Sequence, residues 1–338
     1  MCVAPFDDYS KKLKGFGAEF INIEYDNSNL NPLKDLLFLF KLTSFFKKHH
    51  PDIILSYTIK ANIYGGLAAQ FAKISFIANI SGLGSLFIKK NIISKFSLLL
   101  YKISLRKADK LFFQNQYDYS LFLEKQIIKK QHAEVIPGSG IDLVKFSSNI
   151  LAKRRAKFIF LFASRLLKDK GIIEAVEATN KLKQINKNVE LQVLGKVWTK
   201  NPSSIKTHEL NNWINSGLIS YLGFTDDVRP YIENADVVIL PSYREGMSRI
   251  LLEASSMGKP IITTDVPGCR DVVDDIQTGF LCKARDSDDL AEKMLQIIEI
   301  SNEERALMGK RGREKMVNEF DEKIVIYKYL EIINKLIA

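Results

Sequence analysis

The chain has 338 residues, a length that suits two domains better than a single hydrophobic core. Hydrophobic residues make up 46% and charged residues 26%, a composition that excludes disordered, collagen-like and coiled-coil proteins. The three cysteines, Cys2, Cys269 and Cys282, are too few and too scattered for a disulfide framework or a cysteine-ligated metal site, which indicates a reducing compartment.

The net charge of +10 is unevenly distributed along the chain. Residues 1–150 carry 20 Lys or Arg against 12 Asp or Glu, whereas the remainder carries 29 against 27. Between Ile53 and Ala108 there are eight basic residues and no acidic one. Such one-sided charge favours a phosphate-rich partner, either a nucleic acid or an anionic membrane surface. A basic surface that only improves solubility is the alternative interpretation.

The first half predicts a parallel sheet with helices between its strands. Strands are predicted at residues 20–23, 53–57, 76–80, 110–114 and 134–136, and helices at about 32–49, 62–73, 85–107 and 116–130. Residues 91–106 are mostly apolar but are interrupted by Lys95, Lys102 and Arg106, which predicts a basic amphipathic helix rather than a membrane span. The N-terminus lacks the pattern of a signal peptide, so we expect a cytoplasmic protein resting on the membrane surface.

The second half alternates strands and helices more clearly. Strands are predicted at residues 157–163, 189–194, 219–222, 237–240, 260–263 and 279–282, and helices at 172–185, 203–216, 226–234, 249–257, 287–300, 303–318 and 322–337. This alternation predicts an α/β fold with two doubly wound, Rossmann-like domains that face a cleft. We place the domains at residues 1–145 and 146–320, followed by a C-terminal helix over 321–338. Ligands of such sheets bind at the carboxyl ends of the strands, so the loops there are the expected site.

The loop that follows the strand at 157–163 carries two cations. Arg165 and Lys170 flank a turn in the segment 164–171 (SRLLKDKG), and Gly171 opens the next helix. Two cations beside a helix N-terminus make an anion site, so this loop is a candidate for binding a phosphate group. A solvated basic loop is the plainer interpretation.

Two glutamates stand eight residues apart in the segment 241–254 (PSYREGMSRILLEA). Glu245 lies in a loop after a strand, and Glu253 lies about two helical turns later, so both can face the same side. A carboxylate can accept both hydroxyls of a sugar or ribose diol. An exposed helix position is the alternative for Glu253, although its neighbours are apolar. The N–H groups of the loop between the glutamates can bind phosphate; they belong to Gly246, Met247 and Ser248.

These two segments occur together with a third motif. The Glu-x7-Glu pattern after Pro241 and Ser242, the upstream segment 164–171 and the downstream segment 258–268 (GKPIITTDVPG) together resemble the retaining glycosyltransferases of family 4. That family has the GT-B fold, in which two Rossmann-like domains face a cleft. The resemblance covers nearly the whole chain.

Motifs of the first half narrow this resemblance. The segments 56–65 (SYTIKANIYG), 79–84 (NISGLG) and 113–115 (FQN) are similar to those of bacterial members that extend sugars carried on undecaprenyl diphosphate in O-antigen, capsule and protein-glycan assembly. The N-acetylgalactosaminyl and galactosyl transferases of that group resemble the chain most. The resemblance implies retaining transfer of a hexose or N-acetylhexosamine from a UDP-sugar to a polyprenyl-diphosphate-linked glycan, by a protein held peripherally at the inner face of the cell membrane.

The resemblance also implies roles for individual residues on the donor side. Arg165 and Lys170 would neutralise the donor diphosphate. Glu253 would bind the ribose diol, and Glu245 would contact the transferred sugar. An assignment of Glu245 as a nucleophile is an alternative, although retention in this family does not require one. The donor-binding set is completed by Gly246, Met247, Ser248, Phe224 and Val228, the last two lining the base pocket.

On the acceptor side we expect Lys60 and Tyr64, which follow the strand at 53–57. Lys60 would contact the acceptor phosphate or the donor, and an ordinary surface position is its alternative.

No cofactor or essential metal is expected, because no His or Cys cluster occurs and two cations already serve the diphosphate. Asp286 and Asp288 imitate a metal-binding Asp-x-Asp motif, but they stand at the start of a predicted helix, which favours a capping role. Nucleic acid is not an expected partner: such a binder would interleave aromatic with basic residues on a groove-reading element, and the intact Glu-x7-Glu pattern indicates donor chemistry instead. Two alternatives stay open: a GT-B transferase with a soluble acceptor, and a non-catalytic nucleotide-sugar-binding protein.

The N-terminal segment predicts an incomplete first domain. Residues 1–5 have the pattern of the end of a strand, and residues 6–17 that of a loop and a short helix. A GT-B N-terminal domain begins with a strand, a glycine-containing loop and a helix before that point. We therefore expect that a first strand-helix unit of roughly 30 residues is missing.

Overall fold

The computed structural model describes residues 1–7, 9–25, 31–83, 92–147, 157–185, 187–199 and 201–338. The strands in these ranges are β1 (Cys2–Ala4), β2 (Phe20–Asn22), β3 (Ile53–Tyr57), β4 (Ser75–Ile80), β5 (Lys110–Phe113), β6 (Ala133–Val135), β7 (Phe158–Ala163), β8 (Val189–Leu194), β9 (Ser220–Tyr221), β10 (Val237–Leu240), β11 (Ile261–Thr264) and β12 (Gly279–Cys282). The α-helices are α1 (Ser10–Leu13), α2 (Pro32–His49), α3 (Ile59–Ala72), α4 (Ile92–Ser104), α5 (Gln116–Glu124), α6 (Ile172–Gln184), α7 (Thr207–Asn215), α8 (Arg229–Asn234), α9 (Arg249–Ser256), α10 (Ser287–Glu299), α11 (Asn302–Glu319) and α12 (Glu322–Ile337).

Within the described ranges the strands form three parallel sheets. β1 and β2 make a two-stranded sheet, β3 to β6 make a four-stranded sheet in chain order, and β7 to β12 make a six-stranded sheet. Every pairing between these strands is parallel, as expected when strands alternate with helices. The predicted α/β fold is therefore confirmed.

The four-stranded sheet packs against helices through a core that contains several aromatic side chains. Phe76 and Phe113 of the sheet are buried together with Tyr101 of α4 and Phe122 of α5. The rings of Phe113 and Phe122 meet edge to face, with centroids 5.2 Å apart. The residues of this core all come from the first half of the chain.

The order of the six-stranded sheet is β12-β11-β10-β7-β8-β9. The chain moves outward from β7 through β8 to β9 and then returns to β10 on the other side of β7. The strand order therefore reverses between β7 and β10, and the loops after these two strands lie side by side. The strands are continuous apolar runs because both faces of the sheet are covered; Phe160, Leu161 and Val238 are wholly buried.

Polar side chains decide where several helices begin. Ser203 donates its hydroxyl hydrogen bond to Asp169 at 3.0 Å and keeps its segment in a turn, so α7 begins at Thr207 rather than at residue 203. Asp227 accepts hydrogen bonds from the Arg229 guanidinium, so α8 begins at Arg229 rather than at residue 226. Asp286 accepts two backbone N–H groups of the first turn of α10, which confirms the predicted capping role.

Two predicted helices of the first half are shorter in the structure. The helix predicted over 116–130 ends at Glu124, and Gln126 beyond it has a positive φ of 53° that ends the helical geometry. Of the helix predicted over 85–107, α4 covers Ile92–Ser104. The predicted start at residue 85 lies outside the described residues.

The C-terminal helix α12 links the two halves. It follows the second sheet in the chain but packs on the first, where Val325 joins a buried cluster with Ile77 and Phe112. The Asn79 side-chain amide, at the end of β4, donates a hydrogen bond of 2.7 Å to the Tyr329 hydroxyl. The domain boundaries at residues 145 and 320 stay predictions. Among the described residues, none of the helices combines the length and the apolar character needed to cross a bilayer.

Candidate functional site

A cleft of about 740 Å³ opens at the carboxyl ends of β7 to β10. Its walls come from the loops after these four strands, from the first two turns of α9 and from the N-terminal segment. The site therefore lies where the strand order reverses, as the α/β pattern predicts. The lining residues include Tyr9, Lys12, Arg165, Lys170, Lys196, Trp198, Phe224, Asp226, Val228, Glu245, Ser248, Arg249 and Glu253.

The structure brings Lys170 and Glu245 together at the floor of the cleft. The Lys170 Nζ atom lies 2.5 Å from the Glu245 Oε1 atom, and the side chains are only 14% and 12% exposed. Their loops follow the neighbouring strands β7 and β10 and approach closely because Gly171 has a positive φ of 76°. A Cβ atom on Gly171 would lie 2.1 Å from the Pro241 carbonyl oxygen, so a side chain there would separate the two loops.

Arg165 lies at the exposed rim of the same cleft. Its guanidinium carbon is 5.8 Å from the centroid of the Trp198 ring, which belongs to the loop after β8. This cation–π contact orients the guanidinium while leaving its N–H groups available for an anion. Arg165 and Lys170 thus supply two positive charges to one cavity, as predicted from the segment 164–171.

Glu253 lies on α9 and is largely buried. Its side chain is 11% exposed and accepts a hydrogen bond of 2.9 Å from the Arg249 Nε atom, one helical turn earlier. Burial raises the pKa of the Glu253 carboxyl above its usual range, and the neighbouring Arg249 opposes that shift. The exposed-glutamate interpretation is therefore wrong, because Glu253 is buried at the wall of the cleft.

The loop between the two glutamates differs in part from the prediction. The Ser248 N–H donates to the Gly268 carbonyl at 3.1 Å, so it is not available to a phosphate, although Ser248 does line the cleft. The Met247 side chain lies against Gly138 instead of the cleft. Among the described residues, no acceptor takes the N–H groups of Gly246 and Met247. Neither Gly246 nor Met247 is among the described residues that line the cleft, so their part in binding a phosphate stays a prediction.

Phe224 and Val228 line the end of the cleft beyond Arg165, as predicted for a base pocket. Phe224 is 61% exposed and follows Gly223, which has a positive φ of 73°. An exposed aromatic ring at a cavity wall is suited to stacking on a planar ligand. Their role in binding a base stays a prediction.

Lys60 and Tyr64 are placed differently from the prediction. Lys60 is the second residue of α3 rather than a loop residue, and its ammonium lies 2.6 Å from the buried Asp35 carboxylate. The Tyr64 hydroxyl donates to the second oxygen of Asp35 at 3.1 Å, and burial raises the pKa of Tyr64 to about 12. Lys60 lines a separate cavity of about 490 Å³ beside the N-terminal segment. It is thus neither an exposed loop lysine nor an ordinary surface lysine, and its role toward an acceptor stays a prediction.

Several residues of the cleft escaped the sequence analysis. The Tyr9 hydroxyl and the Lys12 ammonium, both from the N-terminal segment, each lie 3.2 Å from the Asp226 carboxylate across the mouth of the cleft. Only the tertiary structure joins these positions, because more than 200 residues separate them. Arg249 could have been found from its spacing, since it stands four residues before Glu253 and can pair with it on one helix face.

The described part of the chain contains no group of three His, Cys, Asp or Glu side chains that could hold a metal ion. The expectation that the chemistry needs no metal stays a prediction.

Two family models match the chain. The model of the glycosyl transferases group 1 matches residues 144–315, and a glycosyl transferase 4-like model matches residues 3–115. The N,N'-diacetylbacillosaminyl-diphospho-undecaprenol alpha-1,3-N-acetylgalactosaminyltransferase of Campylobacter jejuni is 30% identical, over 99% of this chain and 90% of its own length. The UDP-Gal:alpha-D-GlcNAc-diphosphoundecaprenol alpha-1,3-galactosyltransferase of Escherichia coli is 24% identical, over 87% of this chain and 78% of its own length.

Solved structures show the same architecture. A glycosyltransferase from Rickettsia africae superposes with a TM-score of 0.80 at 20% identity and covers 99% of this chain and 89% of its own. HepE from Anabaena, in complex with UDP and glucose, superposes with a TM-score of 0.81 at 20% identity and covers 99% and 91%. These similarities, together with the parallel sheets and the cleft, confirm the expected GT-B fold.

Proposed function

The chain belongs to the group 1 glycosyl transferases, and we propose that it transfers a hexose or N-acetylhexosamine from a UDP-sugar to a polyprenyl-diphosphate-linked glycan with retention of configuration. The observation that best supports a donor site is the Lys170–Glu245 ion pair, which lies where the strand order reverses. Arg165 and Glu253 line the same cavity. This arrangement provides cations for a diphosphate and a carboxylate for a ribose diol.

The cations act where charge develops. As the bond between the sugar and the diphosphate breaks, negative charge grows on the leaving UDP, and Arg165 and Lys170 stabilise it most in the transition state. Glu245 holds the Lys170 ammonium in place through one carboxylate oxygen, and its second oxygen is left to accept a hydroxyl of the transferred sugar. The amides of Gly246 and Met247 would add two further donors to the diphosphate.

Retention needs no protein nucleophile in this proposal. The acceptor hydroxyl attacks the anomeric carbon from the face that the diphosphate leaves, and an oxygen of the departing phosphate takes the hydroxyl proton. We therefore assign no protein base, and Glu245 keeps a role in binding and orientation.

The proposed acceptor is carried on a lipid, and this rests on the relatives and on α4. The Campylobacter and Escherichia relatives are both named for undecaprenyl-diphosphate-linked sugars. In α4, the side chains of Phe96, Leu99 and Ile103 are 58%, 52% and 48% exposed and recur at helical spacing. Lys95 and Lys102 stand beside this apolar stripe. An apolar stripe flanked by lysines is typical of a helix that lies in the membrane interface, so we propose peripheral attachment to the cytoplasmic face of the membrane.

The experiment that tests the proposal compares acceptors. The purified chain is incubated with UDP-galactose, UDP-glucose or their N-acetylhexosamine counterparts, together with a polyprenyl-diphosphate-linked glycan or with the same glycan lacking the lipid. We expect UDP release that depends on the lipid-linked acceptor and a product mass raised by one hexose or N-acetylhexosamine. Equal turnover on the lipid-free glycan would favour a soluble acceptor, and UDP binding without turnover on any acceptor would favour a non-catalytic binding protein.

A further inference from the structure

The loop that carries Glu245 is attached to the other half of the molecule by a buried ion pair. The guanidinium of Arg244, the residue before Glu245, binds the carboxylate of Asp118 in the first turn of α5. The Asp118 side chain is wholly buried, and the Arg244 side chain is 12% exposed. Removing a charge pair from water is costly, and apolar residues would join two surfaces as well or better. We therefore infer that the Arg244–Asp118 ion pair fixes the position of the loop, rather than only holding the two halves together.

Asn115 attaches the same loop at a second point. Its side-chain amide donates to the Gly246 carbonyl at 2.8 Å and to the Asp118 carboxylate at 3.1 Å. Its side-chain oxygen accepts the Asp118 N–H at 2.8 Å and so caps α5. One asparagine thus connects the start of a helix in the first half to the carbonyl of the residue that follows Glu245.

Backbone contacts enclose the loop from both sides. A Cβ atom on Gly246 would lie 1.9 Å from the Ser81 carbonyl oxygen of the first half. On the opposite side, a Cβ atom on Gly268 would lie 2.6 Å from the Glu245 carbonyl oxygen. The Glu245 N–H donates to the Pro267 carbonyl at 3.2 Å. The loop has little room to move while the two halves stay in contact.

We propose that Asn115 and Asp118 are positioning residues for Glu245: they hold residues 244–246 from the first half, so that Glu245 meets Lys170 only when the two halves are docked. Neither residue is among those that line the described cleft, so neither would contact the donor. The inference rests on the proposed function for its activity measurement. Its consequence is that a residue of the first half controls the geometry of the donor site in the second half.

The sharpest variant is Asn115→Ser. Serine still caps a helix, but its side chain is too short to reach the Gly246 carbonyl, so the fold of α5 is kept while the attachment is lost. Asp118→Asn is the second variant, because it removes the charge that pairs with Arg244. The matched control is Glu134→Gln, which removes the carboxylate that pairs with Lys328 of α12 and with Lys110 of β5, without touching residues 244–246.

We expect Asn115→Ser to lower kcat by about 10-fold or more, because small displacements of a group that contacts the substrate are costly to the rate. UDP affinity should fall by less than kcat, since Arg165, Glu253 and Phe224 lie outside this loop and still contact the nucleotide in the proposed site. Hydrogen exchange of the amides at residues 243–248 should be faster in both test variants than in the wild type. The Glu134→Gln control should leave kcat and this exchange unchanged.

The outcomes separate this inference from the proposed function. If the wild type transfers sugar and Asn115→Ser keeps the wild-type kcat, the positioning role is overturned while the proposed function stands. If the wild type transfers no sugar, the proposed function fails, and the positioning role is then judged from hydrogen exchange alone. Unchanged exchange at residues 243–248 in both variants would then overturn the positioning role, and faster exchange would support it.

Discussion

The Lys170 ammonium lies 2.5 Å from the Glu245 carboxylate, although 75 residues separate the two in the chain. Their strands are neighbours in the six-stranded sheet only because the chain returns to the far side of β7 after completing β9. This return places a cation and a carboxylate at one point of the cleft, where the donor is proposed to bind.

Each charged residue of the donor site should be needed for transfer. Arg165→Ala, Lys170→Ala and Glu253→Ala are each expected to lower kcat/KM for the UDP-sugar by about 10²- to 10³-fold, or roughly 3–4 kcal/mol, because each removes a contact to a charged or polar part of the donor. The measurement is steady-state turnover with the donor identified by the acceptor comparison. Lys168→Ala is the control, since Lys168 lies on the same loop but is not among the described residues that line the cleft. Near-wild-type turnover in all three variants would refute the site.

The close approach of the two loops should depend on Gly171. Gly171→Ala is expected to destabilise the fold by more than Gly217→Ala and to lower turnover as well. Both glycines have positive φ, 76° and 67°, but a Cβ atom meets backbone only at Gly171. An alanine at positive φ costs roughly 1–2 kcal/mol of folding free energy through backbone strain alone. Gly217→Ala measures that strain without a steric contact. Urea unfolding of both variants provides the comparison, and equal losses would show that the close approach contributes nothing.

The buried carboxyl of Glu253 should make stability and activity change in opposite directions. Because burial raises its pKa in the folded state, the ionised form destabilises the fold at pH values above that pKa, and the cost disappears as the pH falls through it. Glu253→Gln should therefore have a higher Tm than the wild type at pH 7, with the difference shrinking in acid, while donor use falls. Thermal melts from pH 7 to pH 4 test this. A lower Tm for the glutamine variant at pH 7 would contradict the prediction.

The apolar stripe of α4 should decide membrane attachment. Exchanging Lys95 and Lys102 for Glu, with Phe96→Ser, is expected to release the chain from anionic vesicles, because each basic residue near such a surface contributes about 1 kcal/mol. UDP binding should be unchanged, since α4 does not line the described cleft. Lys47→Glu with Lys48→Glu is the control. It makes the same change of charge in the last turn of α2 and leaves α4 unchanged. Binding is measured by sedimentation with the vesicles. If the α4 variant binds them as well as the wild type does, α4 does not attach the chain to the membrane, and its lysines only face solvent.

Transfer should persist without divalent metal. Arg165 and Lys170 bring two positive charges to the position expected for the diphosphate, which is the part a divalent ion would otherwise play. We expect turnover in excess EDTA to match turnover in buffer, measured as UDP release. If EDTA abolishes turnover and added Mg²⁺ or Mn²⁺ restores it, Arg165 and Lys170 are not sufficient to neutralise the diphosphate.

Much of the fold and part of the donor site could be predicted from local patterns. Apolar runs bounded by glycine and charged turns predict β7, β8 and β10 within a residue or two, because strands buried on both faces require such runs. Arg165, Lys170 and Glu245 can be found for a similar reason, since each lies in the segment that joins a strand to the next helix. Helix starts such as that of α8 were missed, because they depend on a side-chain contact that competes with the helix.

The sequence by itself determined the α/β class and the loops that carry the donor site, because both follow from interactions between residues close together in the chain. Only the tertiary structure decided which charges meet. It pairs Lys60 with Asp35 in a buried site, removes the Ser248 amide from the phosphate-binding set and attaches Arg244 to Asp118. These contacts join residues brought together by the packing of α2 on α3, by the strand order and by the docking of the two halves. A buried charge must find its partner wherever the fold places one, and no local pattern specifies that partner.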